Sequence, residues 1–296
     1  MSQSLERIAA LPFWSGPITL EPLRGGLSNE SYLAIDKGRK LVVRLGGDLW
    51  FHHVCRAREV TAARAAAEAG FAPEVVYSEP GLMVSAFIEG KTYGEAEVRE
   101  NWPRIAELLG RFHRTMARRA SGPGFIFWVF HVIRDYARIL AAGDSRFRDG
   151  LEDYLDLAEE LERMQIALPI VFGHHDLLPA NFLDDGERIW LIDFEYASFG
   201  TAMFDLAGLA SNAQFDGTLD EALLRLYFGE RPSTAMLRSH AAMKCASLLR
   251  EAMWSMVSEL HLALPGVDYA AYTQENLNRL SLVLEQYRSA FGGGEP

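Results

Sequence analysis

The sequence predicts an α+β chain of two unequal lobes, a small β-rich one at residues 1–88 and a larger, mostly helical one at residues 89–296. Two observations carry that prediction. Up to about Ile88 the chain consists of short strand-like runs around a single Ala-rich helix. Beyond Gly90, apolar residues recur every three and four positions, the helical period. The boundary falls at Phe87–Gly90, where a strand ends and a short link follows. A length of 296 residues with 49% hydrophobic content supports a full core and excludes disorder for most of the chain.

Taken in order, SYLAID, the turn residues Asp36 to Arg39 and LVVRL make a hairpin signal. A helix over Val54–Ala69 is stopped by Gly70 and Pro73. Strands at Glu74–Tyr77 and Leu82–Phe87 are joined by Glu79-Pro80-Gly81. Val98, Trp102, Ile105, Leu108, Leu109, Phe112 and Met116 then form one buried stripe of a long helix. Further helices are expected at Trp128–Ala142, Phe147–Ile166, Leu219–Phe228, Thr234–Leu262 and Tyr269–Phe291, interrupted by one β-rich island, Ile170–Asp193. The closing GGGEP reads as a frayed tail. Two unequal lobes place the largest cleft between them.

Lys plus Arg number 29 and Asp plus Glu 40, a net charge of −11, opposite to what nucleic acid or an anionic membrane surface requires. Cys55 and Cys245 are far apart with no C-x-x-C, so neither a disulfide framework nor a cysteine zinc site is indicated. Glu6 and Arg7 interrupt what would be the apolar region of a signal peptide, and FIFWVF at 125–130 is far short of the ~20 apolar residues of a membrane span. The expectation is a soluble, cytoplasmic protein with no membrane insertion.

The β-island carries the strongest chemical signal. Asp176 and Asn181 form the D-x-x-x-x-N of a phosphoryl-transfer loop, and Asp193 follows the apolar run Trp190-Leu191-Ile192. A carboxylate and an amide on one loop can hold an attacking hydroxyl and Mg²⁺ at a fixed separation, and a second carboxylate on the neighbouring strand end completes the oxygen shell. Alone, the spacing is also ordinary turn chemistry; followed by apolar-Asp-Phe-Glu it becomes specific. In LVVRL, Leu41, Val43 and Leu45 share one face and Arg44 takes the other, where it is either a solvated edge charge or a phosphate-binding cation positioned by Glu59. Gly25, Gly26, Ser28 and Asn29 are candidates for a phosphate-covering loop, although no G-x-G-x-x-G or Walker pattern is present. His174 and His175 lack a third nearby zinc ligand, and His52, His53 and His113 read as structural. Trp254 lies on an otherwise polar helical stripe, which calls for either a packing partner or a ligand.

HHDLLPANFL, followed by LIDFEYASFG and FDLA, resembles the choline/ethanolamine kinase and aminoglycoside phosphotransferase superfamily, with the choline-kinase branch closer. The resemblance implies a protein-kinase-like bilobal fold and Mg²⁺-dependent transfer of the γ-phosphoryl group of ATP to a small-molecule hydroxyl. By motif, Asp176 resembles the catalytic Asp, Asn181 and Asp193 the magnesium ligands, Arg44 the cation on the third strand and Glu59 its helix partner. GGLSNESYLA then resembles the phosphate loop and Ser85–Ile88 the adenine hinge. Glu195 and Tyr196 lie where choline kinases recognise a cation, and Trp254 is a candidate for the same pocket. Asn212 stands where those kinases carry a further acid, and Glu251 interrupts a paired-Trp pattern. The implied acceptor is choline or a related, cationic amino alcohol. The alternatives are an aminoglycoside or other small alcohol, and a silent nucleotide-binding regulator, which would have lost a residue such as Asp176, Asn181 or Asp193. Oligomeric state is left open.

Overall fold

The computed structural model describes residues 3–23, 29–262 and 266–292. After the short helix α1 (Gln3–Ala9) come strands β1 (Thr19–Leu23), β2 (Glu30–Asp36) and β3 (Arg39–Leu45), helix α2 (Arg56–Glu68), and strands β4 (Val75–Glu79) and β5 (Leu82–Ala86). The strands form one antiparallel sheet in the order β1-β2-β3-β5-β4. Its central hairpin turns at Lys37 and Gly38, with φ of 48° and 87°, the left-handed pair that matches the twist of adjoining strands. Leu41, Val43 and Leu45 are buried with Ile8, Leu82 and Val84 in a small core. The same alternation puts Arg44 on the opposite face.

The apolar packing does not divide at residue 88. Ala62, Ala63 and Ala66 of α2 join the large core of the helical part, while the sheet keeps its own. Asp48 Oδ1 caps the helix by accepting the N–H of Arg56 at 2.7 Å.

Beyond β6 (Lys91–Thr92) the chain forms α3 (Glu95–Met116), α4 (Val129–Ala142) and α5 (Leu151–Arg163). The expected stripe of α3 is buried, with Val98, Ile105, Leu109, Phe112 and Met116 fully covered. The β-island resolves into β7 (Ile170–Gly173), β8 (Phe182–Asp184) and β9 (Ile189–Leu191), followed by β10 (Ser198–Thr201). Strand β7 pairs with β10, and β8 with β6 and β9, all antiparallel. These pairings bring the segment between β7 and β8 beside the one between β9 and β10. Helices α6 (Ala202–Asn212), α7 (Gly217–Phe228), α8 (Thr234–His261) and α9 (Tyr269–Phe291) complete the chain. The middle of α8 is buried on all sides. Among the described residues no helix is long and apolar enough to cross a membrane.

Candidate active site

One buried carboxylate shapes the loop that carries Asp176. Asp205, in the first turn of α6, accepts the backbone N–H of His174 (2.8 Å) and of His175 (2.7 Å), and lies 2.8 Å from His113 Nε2. Burial by itself would raise the Asp205 pKa; its hydrogen bonds with His113 and His175 outweigh that and hold it well below the carboxylate range. His175 adopts φ 63°, and its ring stacks on Phe127 with centroids 4.7 Å apart. A Cβ at Gly173 or Gly200 would come within 2.4 or 2.7 Å of that ring, so both positions require glycine. His174 Nε2 donates to Ile192 O at 2.9 Å, tying this loop to the strand end that bears Asp193. Both histidines at the head of the loop are thus braces.

Asn181 Nδ2 donates to Asp176 O (2.8 Å) and Oδ2 (3.2 Å), so the two ends of D-x-x-x-x-N meet. Burial pushes Asp176 well above its usual range, reinforced by Glu251, Asp193 and Glu195 and opposed by Arg250. A carboxyl with a raised pKa in a cleft has the character of a general base.

Arg44 holds the opposite side of the site together. Its Nη1 pairs with Glu59 Oε1 at 2.9 Å, and its Nη2 donates to Asp193 Oδ1 at 2.9 Å. Asp193 has φ 67°, a left-handed conformation for a non-glycine residue. Arg56 donates from Nη1 to Glu59 Oε2 (2.7 Å) and to Glu195 Oε2 (2.9 Å). Burial would lower the Arg44 pKa, but Asp193, Glu59 and Glu195 together hold it above its usual value. Two guanidinium groups thus face three carboxylates.

Three further expectations concern this side of the site. Glu195, expected with Tyr196 at the acceptor, is drawn to Arg56 and lies 3.6 Å from Arg44. Gly25, Gly26 and Ser28 lie outside the described residues; Asn29, just after them, donates to Glu195 Oε2 at 3.4 Å. In the expected hinge, the amides of Ala86 and Phe87 are used by Glu74 O and Lys40 O.

Tyr196 and Trp254 come together: Trp254 Nε1 donates to the Tyr196 hydroxyl at 3.0 Å. Trp254 is only 5% exposed and stacks on His52 at 4.9 Å, so its ring has packing partners, not an open face. His52 lies 2.8 Å from Ser258 Oγ and 3.3 Å from the Tyr136 hydroxyl. Asn212 Nδ2 donates to Leu177 O at 3.2 Å, steadying the loop just beyond Asp176. Sequence reasoning missed Arg56, Arg250, Tyr272 and the bracing role of Asp205. Arg56 had a signal, since it stands three positions before Glu59 on one helix face; Tyr272 reaches the site from α9 with none.

The donor set suits Mg²⁺. Asn181 turns its amide nitrogen to Asp176, which leaves its carbonyl oxygen as the ligating end, and Asp193 supplies a carboxylate; hard oxygen donors few in number are what Mg²⁺ takes alongside phosphates. Among the described residues no three His, Cys, Asp or Glu side chains form a metal cage.

A small antiparallel sheet set against a helical part, with an Asp/Asn loop between them, defines a protein-kinase-like phosphotransferase fold. The sequence matches the phosphotransferase enzyme family, APH, over residues 19–237, and the chain belongs to that family. A relative named probable ethanolamine kinase, from Arabidopsis thaliana, is 30% identical over 219 residues, 69% of this chain and 54% of its own; this chain therefore spans about half that relative's length. Protein LicA of Haemophilus influenzae is 24% identical over 277 residues, 88% of this chain and 99% of its own. Among solved structures, a choline/ethanolamine kinase family protein from Mesorhizobium loti has a TM-score of 0.77 at 30% identity and 97% coverage of both chains. The choline kinase LicA from Streptococcus pneumoniae has a TM-score of 0.74 at 22% identity, covering 91% and 94%, a likeness of fold.

Proposed function

We propose that this protein transfers the γ-phosphoryl group of ATP to the hydroxyl of a small alcohol. The observation that carries this reading is the convergence of Asp176 and Asn181 on one loop with Asp193, itself paired to Arg44. In this reading Asp176 orients the acceptor hydroxyl and takes its proton as the new O–P bond forms and the bond to the leaving ADP breaks. Its raised pKa strengthens it as a base. Arg44, positioned by Glu59 and Asp193, offers a guanidinium to the phosphates, with residues 1–88 as the nucleotide-binding lobe. Asn181 and Asp193 would hold Mg²⁺, which when bound neutralises phosphate charge. Dependence on ATP accords with a cytoplasmic location.

Amino alcohols of the choline and ethanolamine type are the first acceptors to test, because the relatives carry those names. The test is an ATP-consumption screen over amino alcohols, aminoglycosides, sugars and hydroxy acids, with product identified by ³¹P NMR. Absence of phosphoryl transfer to every alcohol, in a protein that binds Mg²⁺-ATP, would overturn the reading.

A further inference from the structure

The groups suited to recognising a cationic acceptor are already engaged within this chain. The Arg250 guanidinium lies over the Tyr196 ring, 4.7 Å from its centroid, on the aromatic face where a quaternary ammonium would otherwise be held. Trp254 is covered by His52, and its N–H is spent on Tyr196. Both Glu251 oxygens are taken, Oε2 by Arg250 Nη1 and Oε1 by the Tyr272 hydroxyl at 2.9 Å. What remains is a pair of donors. Nε and Nη2 of Arg250 have no hydrogen-bond partner among the described residues, although the residue is 3% exposed. These two N–H groups form the side fork of the guanidinium, the geometry that grips a carboxylate or phosphate with two parallel bonds. A buried fork left empty is costly, and this one is linked to the loop of the candidate base: Ser247, one turn before Arg250 on α8, meets Ser211 Oγ at 3.4 Å, and the next residue, Asn212, holds Leu177 O, just after Asp176, at 3.2 Å.

We infer that Arg250, held on Tyr196 by Glu251, sets acceptor specificity, and that the alcohol phosphorylated here carries a carboxylate or phosphate group received by the Nε/Nη2 fork, not a quaternary ammonium received by an aromatic face. The inference rests on the reading of Asp176 as the base of a phosphoryl transfer. It deepens that reading by naming the acceptor's charge.

The test is calorimetric binding to the full chain saturated with Mg²⁺-ADP, using choline, ethanolamine, L-serine, glycerate and glycerol 3-phosphate as probes, with turnover on ATP measured in parallel. At least one anionic alcohol should bind about tenfold or more tightly than choline, and the order of glycerate against glycerol 3-phosphate tells carboxylate from phosphate. Arg250→Lys keeps the charge but loses the fork, and should cut that preference about tenfold, the loss of one charge-assisted bond. The double variant R250M/E251Q leaves no unpaired buried charge and opens the Tyr196 face, so it should abolish the preference and bring choline binding up. Choline binding better than every anionic alcohol, or a folded R250M/E251Q with an unchanged preference, would overturn the assignment. Anion-selective binding without phosphoryl transfer would leave Arg250 its role and sink the phosphotransfer reading. Transfer to choline alone would do the reverse.

Discussion

Glu195 and Tyr196 are adjacent in the chain and serve opposite sides of the site. The Glu195 carboxylate accepts from Arg56 Nη1 at 2.9 Å, and the Tyr196 hydroxyl accepts from Trp254 Nε1 at 3.0 Å. A single peptide unit thus connects the cluster around Arg44 to the cluster around Arg250. Glu195→Gln should raise the Michaelis constant for ATP several-fold while leaving that of the acceptor little changed. Steady-state kinetics with each substrate varied in turn reads this; an acceptor-selective defect would return Glu195 to the Tyr196 side.

Asp176→Asn should abolish turnover while nucleotide affinity stays within a few-fold, because the amide keeps the bond geometry with Asn181 but cannot accept the proton. Asp193→Ala should weaken Mg²⁺-ATP binding as well, since it removes an oxygen donor and the partner of Arg44 Nη2. Near-normal turnover in Asp176→Asn would disprove its assignment as base.

Arg44 and Glu59 are coupled, yet Glu59 is shared with Arg56. In a double-mutant cycle read by ATP affinity, Arg44→Ala and Glu59→Ala should be less than additive, with a coupling in the range of about 0.5–3 kcal/mol. Full additivity would mean that the two do not act as a unit.

Trp254→Ala should lower stability by about 3–5 kcal/mol in chemical denaturation, as expected for deleting a large buried ring. Trp254→Phe should cost less, because it keeps a ring against His52 while losing the N–H to Tyr196. A Trp254→Ala protein of undiminished stability, impaired only in acceptor affinity, would instead make the indole a ligand surface.

Burial, with Arg250, His261 and His53 adding, pushes the His52 pKa down to about 2. In the unfolded chain a histidine titrates near ~6.5. Below that pH the unfolded state therefore binds a proton that the native state refuses. The stability from neutral His52 is complete above about pH 6.5 and is lost on acidification at up to ~1.4 kcal/mol per pH unit. His52→Gln should flatten this part of the profile, as urea midpoints between pH 7.5 and 5 would show. An unaltered slope would mean that another group is responsible.

Several of these relationships were legible in the sequence, for a common reason. The turn at Asp36–Arg39 and the alternation that buries Leu41, Val43 and Leu45 while turning Arg44 to the other face are local, set by bond geometry and the period of a strand. The stripe of α3 follows in the same way from the period of a helix, and the meeting of Asp176 with Asn181 from the short loop between them. The expected roles of Asp193 and Glu59 drew on the family resemblance as well as on spacing.

Tertiary packing supplied the rest. Arg44 and Asp193 are 149 positions apart, and only the seating of β3 and α2 against the segment after β9 brings them to 2.9 Å. The direction of Glu195 depends on where Arg56 waits for it, and the occupation of Tyr196 by Arg250 depends on the rotation of α8 about its own axis. Which residues share a loop, a turn or a face could be read from the chain alone, because covalent geometry over a few residues sets it. Which charge meets which was settled in three dimensions, because desolvation compels each buried charge to find its partner among whatever elements the fold places beside it.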